Sequence, residues 1–120
     1  MANPNLMAAG TTLYKEGTIA TLASGAVSIV TNASGSGAVI EIQSVVLSQQ
    51  NDAASAKGTV TKQRADGVSK VLAGSVTVAA GGVLPIRAND NPLVLLEGES
   101  VLAKGATTID IEISLNKWGP

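Results

Sequence analysis

The sequence predicts an all-β protein, an antiparallel β-sandwich or jelly roll with an extended N-terminal arm, on three observations. Thr107–Leu115 alternates: Ile109, Ile111, Ile113 and Leu115 are apolar, while Thr108, Asp110, Glu112 and Ser114 are polar. Successive strand side chains point to opposite faces, so this stretch has a dry face and a wet face, and its β-branched isoleucines suit a pleated sheet. Turn residues recur at short intervals along the chain, as sandwiches require. No long segment shows a helical period, which argues against a parallel α/β fold.

Taken in order, residues 1–10 read as an arm. Pro4 and the asparagines oppose regular structure, and Leu6, Met7, Ala8 and Ala9 form a small apolar patch. Such a segment fits a frayed terminus, a short helical turn or an arm that orders against a neighbour. Residues 11–115 read as the sandwich domain and 116–120 as a C-terminal tail. Thr18–Leu22 and Ala26–Thr31 are the first candidate strands, followed by a flexible tip at Asn32–Gly37. The Asn32-Ala33-Ser34 triplet matches a glycosylation acceptor by chance, since no secretion signal precedes it.

Ala38–Leu47 is the second strong strand. Ile40, Ile42 and Val46 share one face with Ser44; Val39, Val45 and Leu47 share the other with Glu41 and Gln43. An ending that is apolar on both faces predicts a central or covered strand. Ala56–Arg64 is polar and lysine-bearing, which predicts an edge strand. Ala65-Asp66-Gly67 predicts a tight turn of the primed type, with Val68–Leu72 returning as a hairpin. Val76–Ala80, Val83–Ile86 and Ser100–Lys104 are further short strands. Leu93–Leu96 is apolar throughout, which predicts burial. Trp118 reads as a lid over an open sheet end or as a partner contact.

Composition limits the function. The chain has 120 residues, 8 basic and 9 acidic, no His and no Cys. Triads and metal clusters that need imidazole are excluded, as are thiolate nucleophiles and disulfides. No serine stands in a nucleophile motif, and the glycine-rich segments lack the lysine and helix of a phosphate loop. The sequence therefore points away from an enzyme and from any cofactor or metal. Glu97 and Glu99 flank Gly98 and read as a solvated turn, with a glycosidase pair or half a calcium site as the sharper alternatives. Asp110 and Glu112 read as a wet face answered across the sheet by Lys57, Lys62, Arg64 and Lys70. A charged fraction of 14% with net charge −1 gives no electrostatic attraction to nucleic acid or an anionic membrane, and suits lateral packing against protein. With no Phe, one Tyr and one Trp, the core must come from Val, Ile, Leu and Ala, a thin core that favours support from a partner. The candidate partner contacts are Leu6, Met7, Ala8, Ala9, Tyr14 and Trp118.

The segments IEIQSVVLSQQ at Ile40–Gln50, VTVAAGG at Val76–Gly82, NPLVLLEGES at Asn91–Ser100 and the final alternating strand carry a resemblance. Together with the polar hairpin between the first two, they resemble small β-sandwich virion proteins of tailed bacteriophages, over about two-thirds of the chain. The resemblance implies a head decoration (cement) protein that binds between major capsid protein subunits as a homo-oligomer on the capsid surface, after assembly in the host cytoplasm. A tail, head–tail connector or fibre component is the alternative it leaves open. A carbohydrate-binding adhesion module is the third reading, resting on Tyr14 and Trp118.

Overall fold

A computed structural model of the chain describes residues 12–87 and 92–119. The proposed arm residues Leu6, Met7, Ala8 and Ala9 lie outside them, as does most of the Arg87–Asn91 tip. The described residues form nine strands: β1 (Thr12–Thr21), β2 (Val27–Thr31), β3 (Val39–Gln49), β4 (Ala56–Gln63), β5 (Ser69–Val78), β6 (Val83–Arg87), β7 (Leu93–Leu95), β8 (Ser100–Gly105) and β9 (Ile109–Gly119). All pairings are antiparallel. Sheet A runs β1-β9-β3-β6, with β7 also on β3, and sheet B runs β2-β8-β4-β5. The two sheets form the sandwich that the alternation predicts.

The core sits between unlike layers. Sheet A contributes Ile40, Ile42, Val45 and Leu47 from β3, and Ile109, Ile111, Ile113 and Leu115 from β9. Sheet B answers with smaller groups: Val60 on β4, Ala73 and Val78 on β5, Val101 and Ala103 on β8. Gly58 belongs to the same layer, because a Cβ there would come within 3.2 Å of the Leu22 and Leu47 methyl groups. Large side chains thus fit into gaps left by small ones, and a core without aromatic rings closes.

The burial of β3 corrects the sequence reading of its faces. Ile40 and Ile42 are buried, but so are Val45 and Leu47, while Val46 is half-buried. The cause is a β-bulge. Against β9 the register runs Ile42↔Leu115 and then Ser44↔Ser114, so Gln43 has no partner. One extra residue reverses the parity of every residue after it.

Other expectations also shift. β4 is not an edge; it lies between β8 and β5, with Gly58 and Val60 turned to the core and Lys57, Thr59 and Thr61 turned outward. A sheet covered on one face only tolerates such a polar inner strand. The expected strands Val68–Leu72 and Val76–Ala80 merge into the one strand β5, Ser69–Val78, which is broken by register shifts and has Ser75 at φ 49°. The Ala65-Asp66-Gly67 turn has positive φ only at Gly67, with the Gly67 N–H donating to Arg64 O and the Arg64 N–H to Val68 O. That is a three-residue loop with a glycine bulge, not a two-residue primed turn. Within Leu93–Leu96 only Leu95 is fully buried; Val94 and Leu96 are 41% and 40% exposed. Finally, 116–119 is no tail. β9 runs to Gly119 because β1 and β3 pair with it on both sides.

Two predictions follow from this packing. Deleting Gln43 turns Val45 and Leu47 outward and prevents folding, whereas Gln43→Ala keeps the parity and costs less than about 1 kcal/mol, as read by urea denaturation. Ile111→Ala lowers stability by about 2–5 kcal/mol in the same assay, and Ile111→Asp leaves no cooperative transition, because it buries an unpaired charge.

Candidate protein-docking surface

The acids of the Glu97-Gly98-Glu99 turn serve the architecture. Glu99 Oε1 accepts from the Leu96 N–H at 2.8 Å and from Lys62 Nζ at 3.3 Å, the only ion pair among the described residues. Glu97 Oε1 accepts from the Gly37 N–H at 2.8 Å. Gly98 has φ +83° and donates its N–H to Asn32 O. The turn is therefore fastened to the 32–37 loop, and the expectation of a solvated turn is corrected. Among the described residues no cluster of acids could hold a metal ion.

Asn32 is the centre of this fastening and is 1% exposed. Its Nδ2 donates to Ala38 O at 2.9 Å and Leu95 O at 3.0 Å, and its Oδ1 accepts from Ser36 Oγ at 2.7 Å. An amide supplies donors and an acceptor at once, which an aspartate cannot. The expected flexible tip is thus anchored at its first residue, and a buried amide offers no surface for glycan attachment.

Trp118 and Tyr14, from opposite ends of the chain, lie on neighbouring strands but on opposite faces of sheet A. The register Leu13↔Trp118 and Val39↔Trp118 puts Trp118 on the outer face between two aliphatic side chains. Tyr14 pairs with Lys117 on the other face and is 44% exposed. Rings on opposite faces cannot stack on one sugar, so no two-ring platform forms. Trp118 instead centres an apolar patch. Leu13 is 46% exposed beside it, Val39 is half-buried, and Val94 lies across from Glu41 on the same outer face. Leu96 borders the group. Sequence reading found Trp118 but missed its neighbours, because Leu13 precedes an unpatterned stretch and Val94 looked like core.

The remaining polar expectations also resolve. Asp110 and Glu112 share the outer face of sheet A, where Thr21 Oγ1 donates to Asp110 Oδ1 at 2.8 Å. Lys57, Lys62 and Lys70 belong to sheet B, and Arg64 lies in its β4–β5 turn, so none of them answers these acids. The outer face of sheet B holds an open hollow of about 400 Å³, lined by Thr59, Thr61, Gln63, Val71, Leu102 and Lys104 among others. It contains no acid and no ring. No helix among the described residues is long and apolar enough to cross a membrane.

No protein-family model and no curated protein sequence matches the chain. Among solved structures, it is similar to a protein of the Bacillus endospore appendages, a family of disulfide-linked pili. The TM-score is 0.52 at 13% identity, over 98% of this chain and 97% of that one. This likeness shows the fold. The disulfide linkage has no counterpart here, where cysteine is absent. A chain of infectious bursal disease virus, Gt strain, aligns at a TM-score of 0.31 and 7% identity, over 92% of this chain and 38% of that one.

Replacing Asn32 by Ala leaves the Ala38 and Leu95 carbonyls without their donor. It should cost about 2–4 kcal/mol by denaturant unfolding. Asn32→Asp should restore little of this, since a carboxylate cannot donate to either carbonyl.

Proposed function

We propose that this protein is a structural subunit of a virion, decorating the capsid by binding between major capsid protein subunits. The observation that carries this reading is the Trp118 patch. A partly exposed tryptophan with Leu13, Val39 and Val94 around it, at the end of sheet A from which residues 1–11 lead, has the composition of an interface anchor. The sandwich beneath is a rigid support, and its turn acids are engaged in holding loops together. The N-terminal residues Leu6, Met7, Ala8 and Ala9 would extend the same contact. Tyr14 lies on the opposite face, within reach of a second neighbour. Many copies on one particle make a modest contact sufficient through avidity.

A tail, connector or fibre role shares the need for such a contact. The hairpin that would reach a neighbouring subunit in that role does not stand free at its tip. A Cβ placed on Gly98 would lie 3.0 Å from Ala65 Cβ, so the tip rests against the Glu97–Glu99 turn. The placement of Tyr14 and Trp118 on opposite faces likewise favours a protein partner over a glycan.

The test is co-sedimentation with undecorated heads. Wild-type protein should pellet with heads, and Trp118→Ala and Val94→Lys should each weaken binding at least about tenfold. Val94→Lys changes an exposed side chain, so its thermal melt should match wild type. Deleting Met1–Ala9 should weaken binding while the sandwich stays folded. Binding to purified tails or connectors in place of heads would support the alternative role. Binding to a glycan alone would overturn the structural reading.

A further inference from the structure

We infer that the free edge of β1 is a self-association site, at which β1 of a second copy pairs antiparallel about a twofold axis at Gly17. The inference is independent of what the protein attaches to.

The edges of the two sheets are unequally protected. β2 has five residues and a register shift at Ile29. β5 is broken by two shifts and by the positive φ of Ser75. β6 carries Pro85 and a shift, and β7 has three residues. These devices discourage a foreign strand from adding to a sheet. β1 has none of them. It runs ten residues in unbroken register with β9, has no proline, and among the described residues pairs on one side only. It also displays Leu13, Tyr14 and Ile19 at 46%, 44% and 69% exposure. Such an edge can accept a strand through its main chain.

Charge, together with the length of β1, selects the occupant and the register: a centre at Thr18 would also keep like charges apart, but it pairs only residues 15–21, against 13–21 for a centre at Gly17. A twofold axis perpendicular to the sheet keeps outer side chains on one side, so paired positions share parity. Centring on Lys15 or Glu16 sets like charges opposite each other, which is unfavourable. Centring on Gly17 sets Glu16 opposite Thr18, Tyr14 opposite Ala20 and Lys15 opposite Ile19. The next residue in the Ile19 row is Glu112 on β9, which is exposed and has no basic neighbour in its row. Lys15 of the second copy can lay its stem over Ile19 and bring its ammonium toward Glu112, across two strand spacings of about 10 Å. The twofold makes this contact twice. Within one copy Lys15 cannot do so, because it lies four residues along the strand, about 13 Å, from the Glu112 row. Its own row leads through Asn116 to Glu41, which Gln43 already engages. One sheet would then run through both copies and present two Trp118 patches on a common face.

Two measurements on the full chain test this. Sedimentation velocity up to about 1 mM should show a dimer, the range in which a small interface associates. Lys15→Glu or Glu112→Lys alone should raise its dissociation constant about tenfold, and the double variant should recover wild-type affinity to within about threefold. The second measurement uses the absence of native cysteine. A Cβ at Gly17 meets nothing within 4 Å, so Gly17→Cys is tolerated. Its partner Cα would lie about 5 Å away, within disulfide range, and mild oxidation should give a covalent dimer faster than Glu16→Cys or Thr18→Cys. A monomer at every concentration, a dimer indifferent to the charge exchange, or faster crosslinking at position 16 or 18 would each overturn the inference.

Discussion

The ladder between β3 and β9 is the constraint on which the rest of the structure depends. These two strands lie side by side in the middle of sheet A and contribute eight of the buried core side chains. Their pairing must keep Ile40 and Ile42 on the same side as Val45 and Leu47, although the first pair and the second differ in parity. The unpaired Gln43 makes that possible. Without the bulge, one half of β3 would present its polar residues to the core, whichever half was chosen. On its far edge β3 has two partners, β7 before the bulge and β6 after it.

Sheet B is adapted to that ladder. Its core-facing residues are small because the branched side chains of β3 and β9 already fill the space between the layers. Gly58 and Gly105 mark where the fit is tightest: a Cβ on Gly105 would lie 2.6 Å from Lys57 O. A core built this way has little tolerance for added volume and no ring to absorb displacement. Polar groups close the ends of the sandwich. Asn32, Glu97, Glu99 and Lys62 join two loops to each other and to β4 by hydrogen bonds and one ion pair, where the strands alone would leave main-chain groups unpaired.

This economy bears on the proposed role. The charges at that end are engaged in architecture, while large apolar side chains remain on the outer face and along β1. A subunit that docks onto a larger particle can use both kinds of surface: an apolar patch around Trp118 for the particle, and an open strand edge for its own kind. The patch and the middle of the edge are distinct, and Leu13 at the end of β1 is the residue they share.

The sequence by itself determined the elements whose chemistry is local. Ile109, Ile111, Ile113 and Leu115 alternate with polar residues, and only a half-buried strand satisfies that pattern. Asp66-Gly67 marks a turn because glycine alone accepts the conformation without strain. The absence of histidine and cysteine removes whole classes of chemistry whatever the fold. Tertiary structure decided what depends on distant partners. The spacing of 40, 42, 45 and 47 carries the bulge in plain view, yet choosing a bulge over two apolar faces requires knowing that β9 lies alongside. Thr12–Thr21 has no alternation, since its first half extends past the cover of sheet B, and it is a strand because β9 pairs with it. Asn32 looks like any loop asparagine until Ala38 and Leu95 bring their carbonyls to it. Trp118 stands out in the sequence as a lid or a partner contact, but its place between Leu13 and Val39, with Tyr14 on the reverse face, is set by the register of three strands that come from the two ends and the first half of the chain. Side-chain pattern reports which face is dry; only strand pairing reports which residues share it.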